Sequence, residues 1–138
     1  MKRGPVTGAI AGLVAGIVGV IFGIIGRSWG LVAFTPITLP VPPQPDPYIA
    51  VIMIVLTIIF GAIFGTIYSR FYNQIPGKRF SKGVYFGLMI WLIKDVAAGA
   101  YVALVMGSPL IASSLIFPGF FMWIVFGLVM DVNPTPLP

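Results

Sequence analysis

Residues 4–30 read GPVTGAIAGLVAGIVGVIFGIIGRSWG, an apolar run in which glycine returns at every third or fourth position. From the eighth residue onward, these glycines are Gly8, Gly12, Gly16, Gly19, Gly23, Gly26 and Gly30. Residues three and four apart share a face of an α-helix, so the repeat predicts a helix with one face free of side chains. In a bilayer, such a face lets two helix backbones approach closely. The stretch therefore predicts a membrane helix tightly packed against another helix.

The composition of the whole chain is also that of a membrane protein. Of its 138 residues, 59% are hydrophobic and 8% are charged, whereas soluble domains carry roughly 25% charged residues. A membrane-spanning helix needs about 20 apolar residues. Four stretches meet this requirement, namely residues 5–27, 48–71, 83–106 and 109–130. We therefore expect an all-α integral membrane protein, a bundle of four transmembrane helices forming a single domain over residues 1–138.

Basic residues predict the orientation of the bundle. They cluster before the first span and around the loop between the second and third spans, as Lys2, Arg3, Arg70, Lys78, Arg79 and Lys82. Lysine and arginine are enriched on the cytoplasmic side of a membrane. We therefore expect a multi-pass protein of the cell membrane with both termini in the cytoplasm. Because topology accounts for the net charge of +5, we expect no nucleic-acid partner.

The sequence contains no Cys, His or Glu. Thiol chemistry and imidazole ligation of a metal are therefore excluded within this chain. General acid–base catalysis would have only three aspartates, the lysines and the tyrosines to use. We expect no cofactor, no metal site and no enzymatic activity.

Lys94 and Asp95 lie at the centre of the third predicted span. A charged group at the bilayer centre costs about 3 kcal/mol or more on insertion scales, so it needs a partner, burial in protein or water. Adjacent residues of an α-helix do not face one another. Each group is therefore expected to find its partner on another helix or protomer. From their depth, the side chains within reach of Lys94 are expected to be Thr57, Ser113 and Ser114.

Three interpretations of this polar site stay open. The first is a buried ion pair or hydrogen-bond cluster that sets the register of the helices. The second is a water-filled site for an ion, a proton or an anion. The third is a charge pair at an interface between subunits. All three follow from the rule that ionisable groups inside a membrane mark functional sites by default.

Small residues recur more weakly in the other spans. Gly61 and Gly65 lie one helical turn apart in the second span and predict a packing face there. In the fourth span, Pro118 removes a backbone donor, which should free the carbonyl of Ser114 and kink the helix. The proline-rich loop of residues 35–47 is expected outside the cell, either as a stiff strap or as a docking strand for another protein.

Three families of small membrane proteins share single features with this chain. Small multidrug exporters are similar in size, but they depend on a glutamate in the first span. Rotary-ATPase proteolipids are similar in their glycine-rich helix and mid-membrane carboxylate, but their glycines alternate at every second residue. Fluoride channels are similar in span number, but their characteristic Asn and Phe-Ser-Thr-Phe elements are missing here. None of the three is adopted.

These observations favour a small non-enzymatic protein that works by helix association. We expect a structural or accessory subunit of a larger or homo-oligomeric membrane complex. Its partners would be the lipid bilayer and other membrane subunits or copies of itself. The alternative is a small ion or solute channel or transporter with its polar site at Lys94 and Asp95.

Overall fold

The computed structural model describes residues 4–30, 47–107 and 109–132, and these residues contain helices and no strand. The elements in chain order are α1 (Gly4–Ser28), α2 (Pro47–Phe71), α3 (Arg79–Trp91), a π-helical segment (Leu92–Val96), α4 (Ala97–Met106) and α5 (Pro109–Val132). The segments α3, π and α4 follow one another without a break. Most of the proline-rich loop lies outside the described residues.

Four helical stretches are long and apolar enough to cross a membrane. They are Gly4–Gly26, Ala50–Phe71, Phe80–Val105 and Ile111–Val132. The predicted boundaries agree closely, and the largest difference is the start of the third span, expected at residue 83 and found at Phe80. The predicted all-α bundle of four membrane helices is confirmed, and the protein is a multi-pass membrane protein.

The helices α1 and α2 form the first close pair and run antiparallel. A Cβ atom on Gly8 would overlap the carbonyl oxygen of Gly61, and one on Gly12 would overlap that of Thr57. The relation is reciprocal, because a Cβ atom on Gly61 would overlap the carbonyl oxygen of Gly8. Gly65 lies against Gly8 in the same way. Backbone therefore meets backbone along this pair, as the glycine repeat predicts.

Farther along α1, the glycine repeat changes its partner. Gly16 still faces Thr57, but a Cβ atom on Gly19 would lie 3.0 Å from the sulfur of Met122 on α5. The ring of Phe22 then stacks on Phe121, with centroids 3.9 Å apart and planes at 9°. In this half of α1, aromatic stacking against α5 replaces backbone contact with α2.

Two of the last three glycines of the repeat, Gly23 and Gly30, differ from the packed ones. An added Cβ atom on Gly23 or Gly30 would meet no atom of the described residues within 4 Å. Gly30 lies past the end of α1 at a positive φ of 70°, where glycine is favoured for conformational reasons. Gly26 is buried. Among the described residues, the expected packing role of Gly23 and Gly30 is therefore not seen.

The helices α3 and α5 form a second close pair. A Cβ atom on Gly83 would overlap the carbonyl oxygen of Gly127, and one on Gly127 would overlap that of Gly83. One turn along, a Cβ atom on Gly87 would overlap the carbonyl oxygen of Trp123. This contact places the two backbones close together over two turns of each helix.

The centre of the bundle is α5. Of its most apolar 18 residues, 39% are buried, against 28% in the first span and 17% in the second and third. Trp123 and Phe126 on α5 are almost wholly buried. Phe64 of α2 packs edge-on against Trp123 with centroids 5.4 Å apart. Because α5 contacts α1, α2 and α3, it holds the two glycine pairs together.

Matched alanine substitutions in α1 test this packing. Gly12→Ala should lower the free energy of unfolding by about 1–3 kcal/mol, because its Cβ atom would overlap the backbone of α2. Gly23→Ala should leave stability unchanged or raise it by up to about 1 kcal/mol, since it meets open space and alanine favours helix. Thermal unfolding in mild detergent measures both. Equal Tm values for the two variants would show that the glycine contact does not hold α1 to α2.

Candidate functional site

A local change of helix type positions the two mid-membrane charges. Within the π-helical segment, the backbone N–H of Ala97 donates to the carbonyl of Leu92, five residues earlier. This wider turn holds more residues than an α-helical turn, so successive side chains diverge by a smaller angle. Lys94 and Asp95 both lie in this segment, so the angle between their side-chain directions is smaller than in a regular α-helix.

Lys94 and Asp95 form an ion pair with each other. The Nζ atom of Lys94 lies 2.7 Å from Oδ1 of Asp95. Within this chain, Lys94 therefore has an ion-pair partner on its own helix, where a partner on another helix or protomer was expected, because the π-helical turn and the long lysine stem let neighbours meet. For Asp95 the expectation is partly right, since its second oxygen is bound from α5.

The Asp95 carboxylate is enclosed by α5. The indole N–H of Trp123 donates to its Oδ2 atom at 2.7 Å. A Cβ atom on Gly119 would overlap the same oxygen, so the missing side chain leaves the space into which the carboxylate fits. Only 7% of the Asp95 side chain is exposed. The site is therefore a buried carboxylate with a hydrogen bond to each oxygen.

Lys94 lies at the edge of the site. Its Nζ atom is 5.4 Å from the centroid of the Trp123 ring, within range of a cation–π contact. The side chain is nevertheless 43% exposed. Lys94 lies near the middle of the span Phe80–Val105, about 15 Å or more from either end. A charged side chain at this depth is thus only half covered by the chain's own helices.

The other residues predicted for this site have different partners. Thr57 donates to the carbonyl of Ile54 on its own helix and lies in the contact between α1 and α2. Ser114 likewise donates to the carbonyl of Ile111. Ser113 lines an apolar groove on the α4–α5 side of the bundle. No described hydrogen bond joins Thr57 or Ser114 to Lys94.

A second indole joins the same two helices. Trp91 in α3 donates its ring N–H to the carbonyl of Ile116 in α5 at 2.9 Å. Its ring packs edge-on against Phe120, with centroids 5.2 Å apart. One tryptophan from each side therefore bonds to the opposite helix. Trp91 of α3 donates to a backbone carbonyl of α5, and Trp123 of α5 donates to Asp95 of the π-helical segment.

The helix α5 runs continuously through Pro118.

A second buried carboxylate lies at the other end of the α3–α5 contact. Asp131 has no exposed surface. The hydroxyl of Tyr68 on α2 donates to its Oδ1 atom at 2.6 Å, and the backbone N–H of Gly83 donates to Oδ2 at 2.9 Å. Asp131 thereby links three helices at the end where the basic loop lies.

Sequence reasoning missed this second site because the predicted fourth span ended at residue 130. That boundary placed Asp131 outside the membrane, where a single aspartate needs no explanation. The structure continues the span to Val132. The available signal was an aspartate four residues after Gly127 within an apolar helix.

Apolar packing separates the two carboxylates. The backbone N–H of Gly83 donates to Asp131, and Asp95 lies twelve residues after Gly83. The two carboxylates are therefore roughly 18 Å apart along the helix axis. Between these levels, Phe86, Ile90 and Phe126 are buried. Among the described residues, no buried side-chain nitrogen or oxygen lacks a hydrogen-bond partner. The same residues hold no cluster of three or more His, Cys, Asp or Glu that could bind a metal ion.

Comparisons with known proteins add nothing to this site. No protein-family model, no curated protein and no solved structure matches the chain. Its class, a multi-pass membrane protein with four helices able to span a bilayer, therefore rests on the fold alone.

Two tyrosine variants test the second carboxylate site. Tyr68→Phe removes the hydroxyl that binds Asp131 and should destabilise the protein by about 1.5–3 kcal/mol, the usual range for a hydrogen bond to a charged group. Tyr72→Phe is the control, since its ring still faces the Nζ atom of Lys82 and its backbone carbonyl is unchanged. Tm values in mild detergent compare them. An unchanged Tm for Tyr68→Phe would mean that this hydrogen bond does not stabilise the bundle.

Proposed function

We propose that this chain is a non-enzymatic structural or accessory subunit of a larger or homo-oligomeric membrane assembly. The observation that carries the proposal is the 43% exposure of the Lys94 side chain near the middle of the third span. An ammonium facing lipid at this depth is costly, and such groups face the bundle interior, a cavity or a partner. A second protein surface over Lys94 would remove this exposure.

The interior of the bundle favours a static role for the polar groups. Both oxygens of Asp95 and both oxygens of Asp131 accept hydrogen bonds within the bundle. The buried side chains described between the two sites, Phe86, Ile90 and Phe126, are apolar and do not favour a hydrated path. A subunit can keep such groups dry, whereas a permeation path must hydrate them.

The alternative is a small ion or solute channel or transporter with its polar site at Lys94 and Asp95. One observation favours it, because π-helical turns inside α-helices occur frequently at functional sites. In this alternative, water would reach the ion pair from the exposed side of Lys94. The two proposals therefore predict different results when the charges are removed. The subunit proposal predicts a change in assembly, and the channel alternative predicts a change in ion flux.

For the orientation, we propose that the basic loop of residues 70–82 and both termini lie in the cytoplasm. Support comes from the arginine and lysine residues at this end of the bundle. The ε-ammonium of Lys82 donates to the carbonyl of Tyr72 at 2.8 Å, at the end of α2. The cell membrane is the proposed location.

The particle released in mild detergent tests the proposed function. We expect its protein mass to exceed that of one 14.8 kDa chain. Lys94→Met should lower this mass or the Tm, because it removes the half-exposed group and leaves the buried Asp95 carboxylate without its cation. The double variant Lys94→Met/Asp95→Asn should recover part of the Tm.

The control is Lys78→Met, which makes the same change at an exposed residue before α3. It should leave the mass and Tm unchanged. A wild-type particle of one chain with no second protein would contradict the subunit proposal. Single variants that assemble normally but lose ion flux in liposomes, with a conducting wild type, would favour the channel.

Cysteine labelling tests the orientation in a chain without native cysteine. Ser81→Cys, in the basic loop, should react with a membrane-impermeant reagent only after the cytoplasmic side is opened. Gln44→Cys, in the proline-rich loop, should react in intact cells. The positive-inside rule is the physical reason. Labelling of Ser81→Cys in intact cells would reverse the orientation.

A further inference from the structure

We propose that the outer face of the π-helical segment and α4 binds a transmembrane helix of a different protein, one that presents an uncharged amide oxygen, from Asn or Gln, to Lys94. This inference rests on the proposed function and names the surface and the partner chemistry. The face is centred on Lys94 and includes the exposed residues Ile93, Ala97, Ala98, Ala100 and Tyr101.

The Lys94 ammonium has donors left to offer. It carries three N–H groups, and its described hydrogen bond goes to Asp95. The face of the Trp123 ring lies on one further side. Because 43% of the side chain remains exposed, the ammonium can donate outward from the bundle. A helix that supplies an oxygen acceptor at this depth would satisfy it.

Charge balance favours an uncharged acceptor. Lys94 and Asp95 already neutralise each other at 2.7 Å. A partner carboxylate in its charged form would add an unbalanced negative charge in the middle of the membrane, which is costly. An amide oxygen accepts the same hydrogen bond without that charge.

The acceptor is better supplied by an amide than by a hydroxyl. In this bundle, Thr57, Thr66 and Ser114 all direct their hydroxyls to carbonyls of their own helices. Hydroxyls in membrane helices can thus be satisfied locally. An amide side chain is larger, and in membranes it forms hydrogen bonds between helices. The partner helix is therefore expected to carry Asn or Gln where it crosses Lys94.

A second copy of this chain does not meet these requirements. Its only amide residues are Gln44, Asn73, Gln74 and Asn133, and none of them lies within the four spans. Two copies in the same orientation that paired through this same face would also bring Lys94 opposite Lys94 at the same depth. Since Asp95 is buried behind each lysine, this arrangement would place two ammonium groups face to face.

The shape of the face allows close approach. Ala97, Ala98 and Ala100 are small and exposed next to Lys94. Two larger exposed residues, Ile93 at 69% and Tyr101 at 62%, flank them. A helix lying across the alanines can bring its backbone near enough for a short amide side chain to reach the ammonium.

Photo-crosslinking in the native host membrane tests this proposal. A benzophenone side chain is placed at Ala98, beside Lys94, and at Ile63, another exposed residue, on α2 as the control. We expect the Ala98 probe to crosslink to one membrane helix of another protein, with Asn or Gln within one turn of the crosslink. The Ile63 probe should not label that helix.

Reciprocal substitution then tests the contact itself. Lys94→Met should reduce the Ala98 crosslink roughly three- to tenfold, the scale of an interhelical hydrogen bond in membranes. Replacing the partner's amide residue by leucine should reduce it equally, and combining both changes should reduce it no further. Additive losses, or a crosslinked helix without Asn or Gln, would overturn the proposal.

The remaining outcomes are distinct from failure of the proposed function. A crosslink from Ala98 to a second copy of this chain would overturn the partner named here and leave a homo-oligomer standing. Crosslinks to lipid alone would overturn this binding face. In that case, the protein mass of the detergent particle decides the proposed function independently, because other surfaces could still hold a partner.

Discussion

The fold depends on backbone-to-backbone contact at positions without a side chain. Gly8 against Gly61 and Gly83 against Gly127 are reciprocal contacts, in which a Cβ atom on either residue would overlap the carbonyl oxygen of the other. In lipid, helices gain no hydrophobic free energy by meeting, so association depends on close packing and hydrogen bonds. These two glycine contacts supply the close packing, one between α1 and α2 and the other between α3 and α5. Larger side chains at these positions would hold the backbones apart and remove most of that attraction.

The two glycine pairs become one bundle through α5. Its Trp123 is nearly fully buried, packs against Phe64 of α2 and donates to Asp95 after α3. Its Asp131 accepts from Tyr68 of α2 and from the start of α3. The outer faces of the other helices stay apolar and exposed, as a surrounding of lipid requires. The two buried carboxylates therefore lie along the contact of α5 with α3 and the π-helical segment.

Much of this arrangement could be predicted from sequence, and the rest could not for physical reasons. The repeat in α1 and the length of the apolar runs were sufficient for the α1 contact face and the four spans. Gly83 and Gly127 are far apart in the chain, so no local pattern joins them. The residues Leu92–Val96 have no composition that marks a π-helical turn, and without it the Lys94–Asp95 pair could not be foreseen. Asp131 was missed because a two-residue error in a helix end moved it out of the membrane.

The polar contacts between α3 and α5 oppose a slide of one helix along the other. A slide of one turn, about 5–6 Å, would break the bonds of Asp95 to Trp123 and of Trp91 to Ile116. Each lost bond would leave a polar group inside the bundle unsatisfied, at a cost of about 1–3 kcal/mol. Such a cost is what the interpretation of the polar site as a register-setting cluster requires. Such a role requires Asp95 to be buried but does not require the half-exposed position of Lys94, and that position is the feature that points to a partner.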